Sequence, residues 1–156
     1  MIRILHLADL HLDTPFSGLP SSILRQDLKG AFKSAISMAK NNGVKIALLA
    51  GDLFDNEYTK SSTAQFLIKT MRDAPDIKFF IAPGNHDCAV STSIYELYSF
   101  PENVHIFKSD SIECIEYDDL NVCIYGIGAI LPHCDSRVLK GFSVQNTDRI
   151  NIMVLH

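Results

Sequence analysis

Apolar residues in this chain fall into short runs separated by stretches of helical spacing, and that alternation predicts its fold. Ile2 to Leu7, Lys45 to Ala50 and Phe79 to Ala82 are compact apolar segments bounded by breakers or polar clusters, as buried strands are. The second is apolar on both faces, as an inner strand of a parallel sheet would be. Between the first two, Leu24, Leu28, Ala31, Phe32, Ala35, Ile36 and Ala39 recur at three- and four-residue spacing. They predict a helix capped by Ser21 or Ser22, running to Asn42 and ended by Asn42-Gly43. Thr14 to Pro20, with two prolines and a glycine, reads as loop. A second helix fits Ser62 to Arg72, with Phe66, Leu67, Thr70 and Met71 toward the core and Pro75 beyond its end. The order β-α-β-α-β predicts an α/β fold with parallel strands and right-handed crossovers.

The second half is less regular. Ser93-Ile94-Tyr95-Glu96 reads as a capping box opening a short helix to about Phe100. Val104 to Phe107 fits a short strand, and Ile112 to Tyr117 with Val122 to Tyr125 fits a hairpin turning at residues 118–121. Gly126-Ile127-Gly128 is loop; its glycines invite a phosphate-loop reading, but no helix signature follows. Leu131 to Asp148 is irregular, with room for one short helix, and Ile150 to Leu155 is a last strand ending on His156.

Each of the first three strands runs into a polar cluster: Asp9/His11, then Asp52/Asp55, then Asn85/His86/Asp87. Parallel strands put all three clusters on one edge of the sheet, where α/β proteins bind ligands. Asp9, His11 and Asp13 would project together if that segment stays extended; Asp13 either joins the site or caps the following loop. Taken alone, Gly84-Asn85-His86-Asp87 also suits a surface turn. Together with His156, the donors Asp9, His11, Asp52 and Asn85 mix carboxylate, amide and imidazole, a set that suits Mn²⁺, Fe or Zn²⁺ better than Ca²⁺ and lacks the thiolates of a structural zinc site. Several carboxylates beside neutral ligands suggest two ions sharing a bridging group, an arrangement that stabilises attacking and leaving oxygens in phosphoester cleavage. An imidazole such as His86 transfers a proton near neutral pH, and a carboxylate beside it, Asp87, orients the ring.

Composition narrows the setting. The chain has 156 residues, enough for one domain with a real core, with 47% apolar and 21% charged residues. A net charge of −4 gives no overall basic footprint for nucleic acid. No apolar run approaches the roughly 20 residues of a membrane span, and the N-terminal residues lack the features of a signal peptide, so a cytoplasmic location is the default expectation. Of four cysteines, Cys88, Cys114, Cys123 and Cys134, none forms a C-x-x-C pair, and free thiols are expected. Cys114 and Cys123 face each other across the predicted hairpin as packing. His6 and His105 read as strand residues, and His133-Cys134-Asp135 as loop.

The motifs Asp9-Leu10-His11, Gly51-Asp52-Leu53-Phe54-Asp55, Gly84-Asn85-His86-Asp87 and the strand-terminal His156 resemble those of the calcineurin-like metallophosphoesterases. Within that superfamily the first two look most like the SbcD and YhaO type of DNA repair exonucleases, whereas Asn56 and Asp87 stand where protein Ser/Thr phosphatases carry Arg and Glu. The resemblance implies an α/β/β/α sandwich, here incomplete, and one catalytic domain over residues 1–156 that stops short of a further Gly-x-His-type motif. It implies that Asp9 and His11 bind a first metal, Asp52 bridges, Asn85 and His156 bind a second, and His86, held by Asp87, protonates the leaving oxygen after attack by a metal-activated hydroxide. Asp55 sits near the site without a ligand role. It also implies two divalent ions, Mn²⁺ first and Fe or Zn²⁺ next, DNA as substrate, and a second copy or an SbcC-like ATPase as partner. Two other functions compete: a phosphatase or small-nucleotide phosphodiesterase, and a non-catalytic module binding a partner through the Tyr95/Leu97/Tyr98 helix.

Overall fold

The computed structural model describes residues 1–15, 21–129, 131–133 and 137–156, with residues 21–25 described in their backbone only. The first half folds as the spacing predicts. Strand β1 (Ile4–Leu7) leads to helix α1 (Ser21–Asn41), strand β2 (Ile46–Ala50), helix α2 (Ser61–Arg72) and strand β3 (Lys78–Ala82). Strand β4 (Val104–Ile106) adds to β3, and the sheet β1-β2-β3-β4 is parallel throughout. Gly43 ends α1 in the left-handed conformation, φ +66°, and donates to the Lys40 carbonyl.

A second sheet is built from β5 (Glu113–Tyr117), β6 (Val122–Gly126) and β7 (Ile150–Val154). The pair β5–β6 is an antiparallel hairpin closed by one 3₁₀ turn, Asp118–Leu120, with Asn121 left-handed. Strand β7 lies parallel to β6. The two sheets bury one core between them: Ile46, Leu48, Ala50, Phe80 and Ala82 from the first meet Val122, Ile124 and Val154 from the second, with Phe107 beside them. The other face of the first sheet packs Ala47, Leu49, Phe79 and Ile81 against Phe32, Ile36 and Ala39 of α1 and Ala64, Leu67 and Met71 of α2. Strands β2 and β3 therefore bury both faces, which is why they read as unbroken apolar runs. Among the described residues the layers are helix, sheet, sheet. The outer face of the second sheet meets residues 137–148, where Gln145 donates its backbone N–H to the Tyr125 hydroxyl at 2.9 Å and Phe142 packs on the Tyr125 ring.

Several expectations change. The third helix, α3 (Ile94–Leu97), is one turn long, and the Ser93 hydroxyl makes no capping bond; Glu96 pairs instead with Lys108 at 3.1 Å. Tyr95 is 1% exposed, packed against Phe54 and Phe100, so it presents no docking face. Gly126 and Gly128 are packing glycines: a Cβ on either would lie within 2.2 Å of the Phe107 ring or 2.0 Å of its carbonyl oxygen. Cys88, Cys114 and Cys123 are free thiols; Cys134 and Asp135 lie outside the described residues. No helix among the described residues is long and apolar enough to cross a membrane.

Asp9, His11 and Asp13 do not project together, because all three have positive φ (53°, 44° and 70°) and the segment is not extended. Asp13 is turned onto the start of α2, where it accepts from the Lys60 N–H at 3.2 Å and from the Thr63 hydroxyl, with the Lys29 ammonium at 3.3 Å. Burial works to raise this carboxyl, but Thr63, Lys60 and Lys29 outweigh it and hold the group below the ordinary aspartate value of 3.8. A depressed folded value means the interaction contributes fully above 3.8 and is lost as pH falls through the folded value. Asp13→Asn is expected to cost roughly 1–3 kcal/mol at neutral pH in denaturant unfolding, with the gap to the unmodified protein closing on acidification.

Candidate metal centre

The ends of the first two strands are stitched together by backbone. The N–H of Asp9 donates to the Gly51 carbonyl at 3.0 Å, that of His11 to Asp52 at 2.9 Å and that of Leu12 to Leu53 at 2.9 Å. To make these bonds Asp9, His11 and Asp52 adopt left-handed backbone, Asp52 at φ +51°. Each such residue costs on the order of 1–3 kcal/mol and persists only where its surroundings hold it, as functional sites do.

Asp87 is what holds them. Its Oδ1 accepts from the N–H groups of Gly84 (2.6 Å) and Asp52 (3.0 Å), and its Oδ2 from the Leu53 N–H (2.9 Å) and the Tyr95 hydroxyl (2.7 Å). The carboxylate is fully buried. Burial pushes it above the ordinary value, opposed by the Tyr95 hydroxyl and the three N–H groups. Burial and Asp87 in turn push the Tyr95 phenol well up. Asp87 thus joins the loops after β2 and β3, and all four of its bonds go to groups other than His86. This corrects the expectation that Asp87 orients His86. The group beside that ring is Asp55, whose Oδ2 lies 3.3 Å from His86 Nδ1. Side-chain direction in an irregular loop is not set by adjacency in sequence, and Asp55 follows Asp52 by three residues in a segment whose turn brings it round to His86. Tyr95→Phe is expected to lower stability by about 1–2 kcal/mol, read by denaturant midpoint, because it removes one of the four donors to a buried carboxylate.

Asp52 lies at the middle of the cluster, 3% exposed. Its Oδ1 accepts the His86 backbone N–H at 3.0 Å. Its Oδ2 faces two imidazoles, His156 Nε2 at 3.5 Å and His11 Nε2 at 3.8 Å. His156 Nε2 is also 3.4 Å from Asp9 Oδ1, and the ligating atoms of Asp9, Asp52 and His156 all lie within 4.8 Å of one another. The rings of His11 and His86 meet edge to face with centroids 5.2 Å apart. Asn85 and His156 line one wall of a cavity of about 400 Å³, whose other walls include Ile127, Leu131 and Val138. Glycine is required at two places around this cluster. A Cβ on Gly51 would lie 2.5 Å from the His156 ring, and one on Gly84 would lie 2.3 Å from Asp52 Oδ1.

Among the described residues, the ion-pair partners of Asp9, Asp52 and Asp55 are histidines, with no lysine or arginine. Carboxylates that converge on imidazoles at a sheet edge, with no lysine or arginine among the described residues between them, make a donor set that fits divalent metal ions. The cluster thus brings Asp9, His11, Asp52, His86 and His156 together, sets Asn85 at its rim, and places Asp87 beneath it.

The chain is similar to known proteins. In an alignment of 118 positions that covers 69% of this chain, it is 38% identical to the uncharacterized metallophosphoesterase YhaO of Bacillus subtilis. Over 102 residues it is 37% identical to the DNA double-strand break repair protein Mre11 of Methanosarcina acetivorans, and 36% identical to that of Methanosarcina mazei. The matches span 28% of the length of YhaO and 16% of each Mre11 protein. A family model of calcineurin-like phosphoesterases matches residues 2–152. With a matching model over nearly its whole length and strand-end carboxylates and histidines arranged to receive divalent metal, this chain belongs to the calcineurin-like phosphoesterase family.

Proposed function

We propose that the protein is a metal-dependent phosphodiesterase acting on DNA, an exonuclease of DNA repair, with its reaction centre at Asp52. The observation that carries this reading is the geometry of Asp52, one oxygen fixed by the His86 N–H and the other facing His11 and His156. In this reading Asp9 and His11 would hold one divalent ion and Asn85 and His156 a second, with Asp52 available to both, and Mn²⁺ would be the first candidate. Bound there, such ions polarise a phosphoryl oxygen and lower the pKa of water. His86, 48% exposed at its side chain, faces solvent where a leaving oxygen would depart and serves as its general acid. Asp55 Oδ2 lies 3.3 Å from His86 Nδ1; with the Nδ1–H donating to it, Nε2 is left to carry the proton to the leaving oxygen. The positioning group is thus Asp55 and not Asp87.

DNA as substrate rests on the likeness to proteins named for double-strand break repair. A second copy or an SbcC-like ATPase as partner belongs to the same reading. A phosphatase or small-nucleotide phosphodiesterase is the second reading, favoured by one observation: among the described residues lining the cavity beside Asn85 and His156 there is no lysine or arginine to track a phosphate backbone. The test is hydrolysis with added Mn²⁺ of linear DNA, of bis(p-nitrophenyl) phosphate and of p-nitrophenyl phosphate. The first reading expects cleavage of DNA and the diester. Preference for the monoester supports the second, and metal-independent DNA cleavage contradicts both.

A further inference from the structure

The outer face of the second sheet carries a cluster that the phosphoesterase centre does not use. Alternation along β6 puts Val122 and Ile124 into the core between the sheets and turns Cys123 and Tyr125 outward. The β5–β6 register sets Glu116 opposite Cys123 and Cys114 opposite Tyr125, so Cys114, Glu116 and Cys123 share that face. Their two sulfurs and a carboxylate oxygen all lie within 4.8 Å of one another. In a tetrahedral zinc site, Zn–S bonds of about 2.3 Å put two sulfurs about 3.8 Å apart, so small side-chain movements close the cluster on one ion. Asn151, paired with Cys123 from β7, adds an oxygen donor on the same face, and its Oδ1 is buried with no hydrogen-bond partner among the described residues.

The surrounding charge suits such an ion. Arg149 sits 3.4 Å from Glu116 and 2.5 Å from Asp118. Two thiolates, Glu116 and Asp118 carry four negative charges, of which a divalent ion and Arg149 together offset three.

We propose that Cys114, Cys123 and Glu116 form a second metal site, selective for a thiophilic divalent ion of the Zn²⁺ or Cd²⁺ class and distinct in chemistry from the oxygen–imidazole centre at Asp52. Thiolates select soft metals where carboxylate, amide and imidazole accept harder ones. The ion clasps the β5–β6 hairpin and is independent of the catalytic reading.

The test is a Cd²⁺ titration of the reduced, metal-free protein, followed by the ultraviolet thiolate-to-cadmium charge-transfer band. One equivalent of Cd²⁺ is expected to develop the band, and Cys88→Ser to leave it intact. Cys114→Ser and Cys123→Ser each reduce it by about half, and the double variant abolishes it. Glu116→Gln, at an exposed position, keeps the fold and the band and weakens Cd²⁺ binding by about tenfold or more. A band that survives the double variant, or no band in the unmodified reduced protein, overturns the proposal. So does a Cys114–Cys123 disulfide in protein purified without reductant, if the reduced form then binds no Cd²⁺.

Discussion

Replacing His86 with alanine is expected to lower kcat for DNA hydrolysis by about 10²–10⁴-fold, the usual worth of a positioned general acid, while leaving Mn²⁺ binding unchanged. The side chain faces solvent, and its ring meets His11 edge to face and Asp55 through Nδ1. Its backbone N–H, which fixes Asp52, survives the substitution. The loss should depend on the leaving group. A DNA 3′- or 5′-alkoxide needs a proton as it departs; p-nitrophenolate does not, so bis(p-nitrophenyl) phosphate should suffer much less. Asp55→Asn should reduce DNA hydrolysis less than His86→Ala and spare bis(p-nitrophenyl) phosphate in the same way, since it alters the ring's partner and not the ring. Equal losses on both substrates would assign His86 to binding and not to proton transfer.

Replacing Asp87 with alanine should have the largest effect on stability, about 3–5 kcal/mol by denaturant unfolding. That is the range for stripping the partner from a buried charged network. The N–H groups of Gly84, Asp52 and Leu53 and the Tyr95 hydroxyl would be left facing a void. Asp87→Asn should recover only part of this, because its amide NH₂ would point at groups that are themselves donors. Loss of DNA hydrolysis without loss of stability would return Asp87 to the role of a His86 partner.

Much of this architecture was legible in the chain. Strands β2 and β3 announce themselves because both of their faces are buried, and α2 because one of its faces is. Once the strands are parallel, the polar residues that follow them must share an edge, so the place of the cluster could be read before its geometry. What could not be read was direction. Asp9, His11 and Asp52 take left-handed backbone in order to bond across from β1 to β2, and this turns Asp13 away to α2. Asp87 is drawn beneath the loops by backbone N–H groups that lie 34 and 35 residues earlier. Asp55 reaches His86 for the same long-range reason. Helix α3 fell short of its sequence pattern because Tyr98 is extended and Lys108 takes Glu96 away from the cap. The hairpin cysteines do not face each other directly as the sequence suggests: the register sets Cys114 opposite Tyr125 and Cys123 opposite Glu116, so the two share a face diagonally, and Glu116 and Arg149 join them only through the register of three strands.

The claim that Asp52 sits at a two-metal centre is tested most directly by electron paramagnetic resonance of the protein titrated with Mn²⁺. Two ions sharing the Asp52 carboxylate are expected to give an exchange-coupled signal at saturation, retained in His86→Ala and lost in Asp52→Asn. A signal of uncoupled Mn²⁺ only, or one unchanged by Asp52→Asn, would contradict the account.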